Sequence, residues 1–127
     1  MPKVFLNPKR ISIGGGYHGC HGVIGLLSKL SSLQKLPLDC PTEDLHPGDV
    51  IHLETPLNPT GEALSIAYYA EKAHSRGAHL IVDATFGPPG LQDPFLWGAD
   101  IVLHSGTKYL GGHSDMLCGV LSVKRED

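Results

Sequence analysis

Long hydrophobic runs are what this sequence most visibly lacks. No apolar stretch reaches the ~18 residues that a membrane-spanning helix requires, and the opening residues, MPKVFLNPKR, hold no apolar core of a secretory signal. Cysteine is scarce. Cys20, Cys40 and Cys118 are widely spaced, which excludes a disulfide framework and a paired CxxC zinc site. A reducing, cytoplasmic setting is the corresponding expectation. Strong charge of one sign is also missing: Lys and Arg number 10 against 13 Asp and Glu, a net charge of −3. That balance leaves no electrostatic footprint for a nucleic-acid partner. Glycine and proline, at 16 and 10 of 127 residues, stay below the roughly 25–30% of low-complexity chains. The Gly-rich stretch GGGYHGCHG lacks the GK[ST] of a P-loop, so Gly14, Gly15 and Gly16 read as a turn. No GxSxG nucleophile elbow occurs. What remains is a globular composition, 41% hydrophobic, long enough for one domain or a portion of a larger one.

The hydrophobic pattern alternates between strand and helix. Residues 21–32 place Val23, Leu26, Leu27 and Leu30 at helical spacing. A short strand is predicted at 34–38, and 41–48 is a loop of turn-forming residues. Residues 50–54, VIHLE, form an apolar strand that TPLNPTG cannot continue, because two prolines and a glycine break the ladder. A helix is predicted from about 62 to 76, with Gly77 as its stop. Strands follow at 79–83, 100–104 and 117–123, the last holding Cys118 as a small core residue. The strand–helix–strand unit 50–83 has the length of a right-handed parallel crossover. The expected class is α/β, with a mostly parallel central sheet flanked by helices.

In such sheets, ligands sit off the carboxyl ends of the strands. The residues to watch are therefore Glu54 to Asn58, Asp83, and His104 to Lys108. A lysine just past a buried strand can be partly desolvated, which lowers its pKa and makes its amine nucleophilic. Ser105 and Thr107 flank Lys108 with hydroxyls, and Gly106, Gly111 and Gly112 let backbone approach a ligand closely. Taken singly, a lysine after a strand is most often a solvated surface charge, and an aspartate closing a strand most often caps a turn. Gathered on one sheet edge, Lys, Asp, Ser/Thr and Asn are what pyridoxal phosphate requires. The lysine forms a Schiff base with its aldehyde, a carboxylate keeps the pyridine nitrogen protonated, and hydroxyls with backbone amides take the phosphate. No metal site is expected. His18 and His21 have HxxH spacing around Cys20, but no second ligand pair has zinc-site spacing.

Residues 100–114, DIVLHSGTKYLGGHS, resemble the lysine signature of the Cys/Met-metabolism family of pyridoxal-phosphate enzymes, position by position. That family includes cystathionine γ-synthase, the cystathionine lyases, methionine γ-lyase and the O-acetylhomoserine sulfhydrylases. ETPLN at 54–58 resembles the family's E-[ST]-P-x-N, LIVDATF at 80–86 its V-D-N-T-F, and YHGC at 17–20, more loosely, its Y-G-G-T. Ala84 stands where Asn is usual, and His18 and Cys20 where Gly and Thr are usual.

The resemblance implies the large domain of the aminotransferase-like fold, fold type I, and pyridoxal phosphate as cofactor. It implies that Lys108 carries the cofactor and moves the α- and γ-protons, and that Asp83 pairs with the pyridine nitrogen. Asn58 would bond the phenolic oxygen, and Ser105 and Thr107 the phosphate. Tyr17 would stack on the ring and act as acid or base on the leaving group. The implied reaction is elimination or replacement at Cβ or Cγ of a sulfur amino acid or an activated homoserine ester, in enzymes that assemble as homotetramers. Family members are several times longer. The expectation is that residues 1–127 form the central portion of the cofactor-binding domain. The upstream phosphate loop, the neighbour-subunit segment and the C-terminal domain with its carboxylate-gripping arginine would then lie outside. Apolar strands such as 79–82 and 100–103 are correspondingly expected to keep exposed area. The rival reading is an inactive remnant that binds the cofactor weakly or serves as an interaction piece.

Overall fold

Short runs of aliphatic and β-branched residues set the strands of the sheet. In the computed structural model, which describes residues 6–125, these are β1 (Arg10–Ile13), β2 (Gln34–Pro37), β3 (Val50–Glu54), β4 (His79–Asp83), β5 (Ile101–Ser105) and β6 (Gly119–Val123). They form one six-stranded sheet in the order β2-β1-β3-β4-β5-β6. All pairings are parallel except β5 with β6, which is antiparallel. The expected α/β class with a mostly parallel sheet is what the chain adopts. β1 carries no sequence prediction: RISI is four residues long, too short for a periodicity to show.

Helices α1 (His18–Ser31) and α2 (Ile66–His74) cover opposite faces. The two-residue period of the strands divides the core accordingly. Ile11, Ile13, Val50 and Ile81 pack with Ile24 and Leu27 of α1. Ile51, Leu53, Leu80 and Val82 pack with Ile66, Ala70 and Ala73 of α2. At the amino ends, the buried Asp49 carboxylate ties β1 to β3, accepting from Arg10 N at 3.0 Å, Arg10 Nε at 2.8 Å and His46 N at 2.8 Å. Among the described residues, no helix is long and apolar enough to cross a membrane.

Three sequence expectations need correction. First, α2 begins at Ile66, not near residue 62. The Thr55 hydroxyl accepts from Leu64 N at 2.9 Å and donates to Leu64 O at 3.3 Å, holding this stretch extended. Ser65 then caps the helix, accepting from Tyr68 N. Gly77 does end this segment, with φ +67. Second, Cys118 is exposed and lies just before β6, because β6 is an edge strand with little packed over it. Third, residues 80–82 are buried rather than left open, since β4 is an inner strand with neighbours on both sides and core on both faces. Ile101 and Leu103 of β5 are half-buried. Apolar side chains are left exposed on α1, at Val23, Leu26 and Leu30, and also outside it, at Leu91, Leu96, Leu117 and Val123.

Thr55 is 1% exposed and Leu64 half-buried, so the clamp is partly shielded from water. Replacing it with the near-isosteric valine leaves both Leu64 backbone groups without that partner. Thr55→Val should cost roughly 1–3 kcal/mol, the penalty for unsatisfied buried polar groups. Urea unfolding of the two chains measures this, and equal midpoints would contradict the role given to the clamp.

Candidate functional site

The strand order reverses at β1: the chain steps from β1 outward to β2, then crosses back to β3 on the other side. Carboxyl ends flanking such a switch point diverge and leave a crevice. Here the crevice is a cleft of about 660 Å³ lined by Tyr17, Asn58, Asp83, Ser105, Thr107 and Lys108, together with Glu54, Thr85 and Phe86. All six residues singled out from the sequence therefore meet, although they come from segments after β1 and β3, from the end of β4, and from the end of β5 and the turn beyond it.

Two acids organise this edge. Glu54 closes β3 and accepts from Tyr17 N and Asn58 N, each at 2.8 Å. It thereby fixes the segments leading out of β1 and β3. Its carboxylate lies so close to Gly16, which has φ +107, that a Cβ there would run into it. Gly16 is therefore required by both backbone conformation and space. Asp83 closes β4 and is 7% exposed. Its Oδ1 accepts from Thr85 N at 3.0 Å and Thr85 Oγ1 at 2.6 Å. The same Oγ1 accepts from Ser105 N at 2.8 Å, locking β4 to β5. Both of these bonds to the Asp83 carboxylate fall on Oδ1, which leaves Oδ2 for a ligand among the described residues.

Lys108 stands in the turn Gly106–Leu110 that follows β5, and is exposed. The expected partial desolvation is not provided by the described residues, which leave Lys108, Tyr109 and Leu110 exposed. Gly106 is buried against Cys118, whose sulfur would overlap any Cβ at that position. Tyr17 is 52% exposed, with its ring tilted against His18 at a centroid distance of 4.8 Å. Asn58 is exposed, and Ser105 and Thr107 are half-buried.

Sequence reasoning gives no role to three residues in this region. Thr85 figures there only as a letter of a motif. His52 lies two residues before Glu54 on the same face of β3 and is 7% exposed. Burial pushes its imidazole below the ordinary histidine range, and the nearby Asp83 and Glu54 charges pull it partly back. Its Nδ1 is buried with no hydrogen-bond partner among the described residues, a condition that ordinarily costs about 1–3 kcal/mol. Cys20 is half-buried, and its thiol is pushed up by burial and then by the charges of Asp83 and Glu54. The period-2 rule could have placed His52 beside Glu54. No local signal in the sequence points to Cys20 meeting them.

Residues 42–127 match the family model described as Cys/Met metabolism PLP-dependent enzyme. Cystathionine γ-lyase of Dictyostelium discoideum is 47% identical over 78 residues, 61% of this chain and 20% of that protein. The crystal structure of metB from Corynebacterium glutamicum superposes with a TM-score of 0.83 at 32% identity, covering 93% of this chain and 33% of that one. Cystathionine γ-synthase from Xanthomonas oryzae pv. oryzae, solved in complex with aminoacrylate and cysteine, gives 0.83 at 30% identity, covering 97% and 35%. The chain thus spans about a fifth of the curated relative and about a third of the solved chains. A match running through β3, β4, β5 and the lysine turn, on a fold shared with solved relatives over nearly its whole length, makes this chain a member of the Cys/Met metabolism PLP-dependent enzyme family.

Proposed function

We propose that this chain is the central, cofactor-holding portion of a pyridoxal-phosphate enzyme of the trans-sulfuration type, acting at Cβ or Cγ of a sulfur amino acid or an activated homoserine. The observation that carries the reading is the convergence of Tyr17, Asn58, Asp83, Ser105, Thr107 and Lys108 on one cleft, with Asp83 at its buried side. The donor set fits the cofactor. A buried carboxylate with one oxygen free suits a protonated ring nitrogen. Hydroxyls at Ser105 and Thr107 suit a phosphate, and the Asn58 amide suits a phenolic oxygen.

Pyridoxal phosphate, when bound, supplies an electron sink for negative charge at the substrate α-carbon. The chain's own residues do the rest. Lys108 would hold the cofactor through Nζ and would move protons at Cα and Cγ of the substrate. Asp83, kept in place by Thr85, would keep a proton on the ring nitrogen. Tyr17 would cover the ring and exchange a proton with the leaving group through its phenol. Glu54 sets where Tyr17 and Asn58 stand, its two oxygens accepting from their backbone N–H groups. The relatives include both a γ-lyase and a γ-synthase, so the shared segment supports the reaction type rather than one leaving group.

Among the residues lining the cleft, Lys108 is the only cation, so a substrate carboxylate finds no arginine there. We therefore assign the 127-residue chain by itself no turnover. With added pyridoxal phosphate, it should process none of cystathionine, methionine and O-acetylhomoserine. Lost positioning can forfeit roughly 7–11 kcal/mol of barrier reduction. Steady product formation from any of the three would overturn this.

Covalent labelling tests the cofactor reading itself. Borohydride reduction of the chain with pyridoxal phosphate, followed by peptide mapping, should place the label on Lys108, and Lys108→Ala should remove it. Lys72 is a poor rival because its buried ammonium already donates to Leu38 O and Cys40 O. A label on Lys72 or Lys124 would sink the assignment. In a full-length enzyme carrying this segment, Asp83→Asn should slow α-proton exchange by roughly 10²–10³-fold, the loss expected for one preorganised electrostatic partner. Near-normal exchange would mean that Asp83 only caps its turn.

A further inference from the structure

Cys20 on the first turn of α1, His52 in β3 and Asp83 at the end of β4 converge on the α1 face of the sheet. One ligating atom of each, a thiol sulfur, an imidazole nitrogen and a carboxylate oxygen, lies within 4.8 Å of the others. His52 and Asp83 are each 7% exposed, and Cys20 is half-buried. His52 Nδ1 is buried without a hydrogen-bond partner among the described residues. Nothing in the proposed reaction uses His52 or Cys20, and Cys20 stands where the family pattern has threonine.

We infer that Cys20, His52 and Asp83 form a binding site for a divalent cation of the zinc type. A set of one sulfur, one nitrogen and one oxygen suits Zn²⁺, whereas Mg²⁺ and Ca²⁺ select oxygen alone. Three protein ligands leave a fourth, tetrahedral position for water, as open zinc sites do. Charge balances: a thiolate and a carboxylate offset the two positive charges, and the imidazole binds neutral. On binding, the Cys20 S–H bond breaks, its proton leaves to solvent, and the sulfur lone pair forms the metal bond. Glu54 adds negative field from the same strand face, but its oxygens are engaged by Tyr17 and Asn58. The ligands come from three separate elements, so the ion would pin α1 to the sheet. Because Asp83 is shared, a bound ion and the ring nitrogen of pyridoxal phosphate would compete for one carboxylate.

The test is made on the whole chain without cofactor, so its failure leaves the cofactor reading untouched. Co²⁺ is titrated as a spectroscopic probe and then displaced with Zn²⁺. The expected result is saturation at one ion per chain, with a thiolate-to-cobalt charge-transfer band and tetrahedral visible bands. Cys20→Ser and His52→Gln should each weaken binding by at least the roughly 10–100-fold that loss of an outer-shell partner costs. The paired change His18→Gln and His21→Gln, which removes the neighbouring HxxH, should leave the titration unchanged. No thiolate band, or binding lost with His18 and His21 but kept in His52→Gln, overturns the site. If a variant fails to fold, alkylation of the unaltered chain decides. Zn²⁺ should protect Cys20 from iodoacetamide while the exposed Cys118 continues to react. Equal labelling of Cys20 with and without Zn²⁺ overturns it as well.

Discussion

The grip of Thr85 on the Asp83 carboxylate is the interaction on which the carboxyl edge of this sheet depends. A carboxyl group at 7% exposure is tolerated only where hydrogen-bond partners replace its water. Two bonds from a single residue do so here, and the shorter, from Thr85 Oγ1 at 2.6 Å, has the length of a charge-assisted bond. Because that hydroxyl also accepts from Ser105 N, the arrangement fixes more than one side chain. It sets the register at which β5 leaves the sheet and therefore where the lysine turn begins.

On the neighbouring strand, Glu54 has the matching role. Its two oxygens hold the segments after β1 and β3, and Gly16 leaves room for it. The backbone stitches the same edge from beneath, with Thr55 N donating to Asp83 O and Ala84 N to Leu103 O. Each strand end is thus tied to its neighbour. Six residues spread over most of the sequence face one cleft because of these ties, not because any pair is adjacent in the chain. The exposed flank of α1 and the open side of the Lys108 turn show where the same edge is left uncovered by this chain.

Much of this is legible in the sequence because the chemistry is written locally. The lysine signature is contiguous, so Ser105, Thr107 and Lys108 can be read as a unit, and Asp83 and Glu54 each close an apolar run. The parallel sheet follows from the alternation and length of those runs. What the sequence hides is tertiary. The start of α2 is decided by Thr55, which stands well upstream of Ser65 and shows no helix-breaking character of its own. The burial of residues 80–82 depends on β4 being an inner strand, which local pattern does not state. The position of Lys108 after a strand suggests desolvation, but solvation is set by what packs over the turn. Cys20, His52 and Asp83 are separated by about thirty residues each, so no ligand spacing announces them; only the strand order brings them together.

The central claim is that Asp83, presented by Thr85, fixes the charge on a cofactor ring. Nitrogen-15 NMR of ring-labelled pyridoxal phosphate bound to the chain reads that charge directly. The account predicts a pyridinium resonance that persists to a pH at which the free cofactor's ring nitrogen has lost its proton. A resonance that follows the free cofactor through its titration would contradict it.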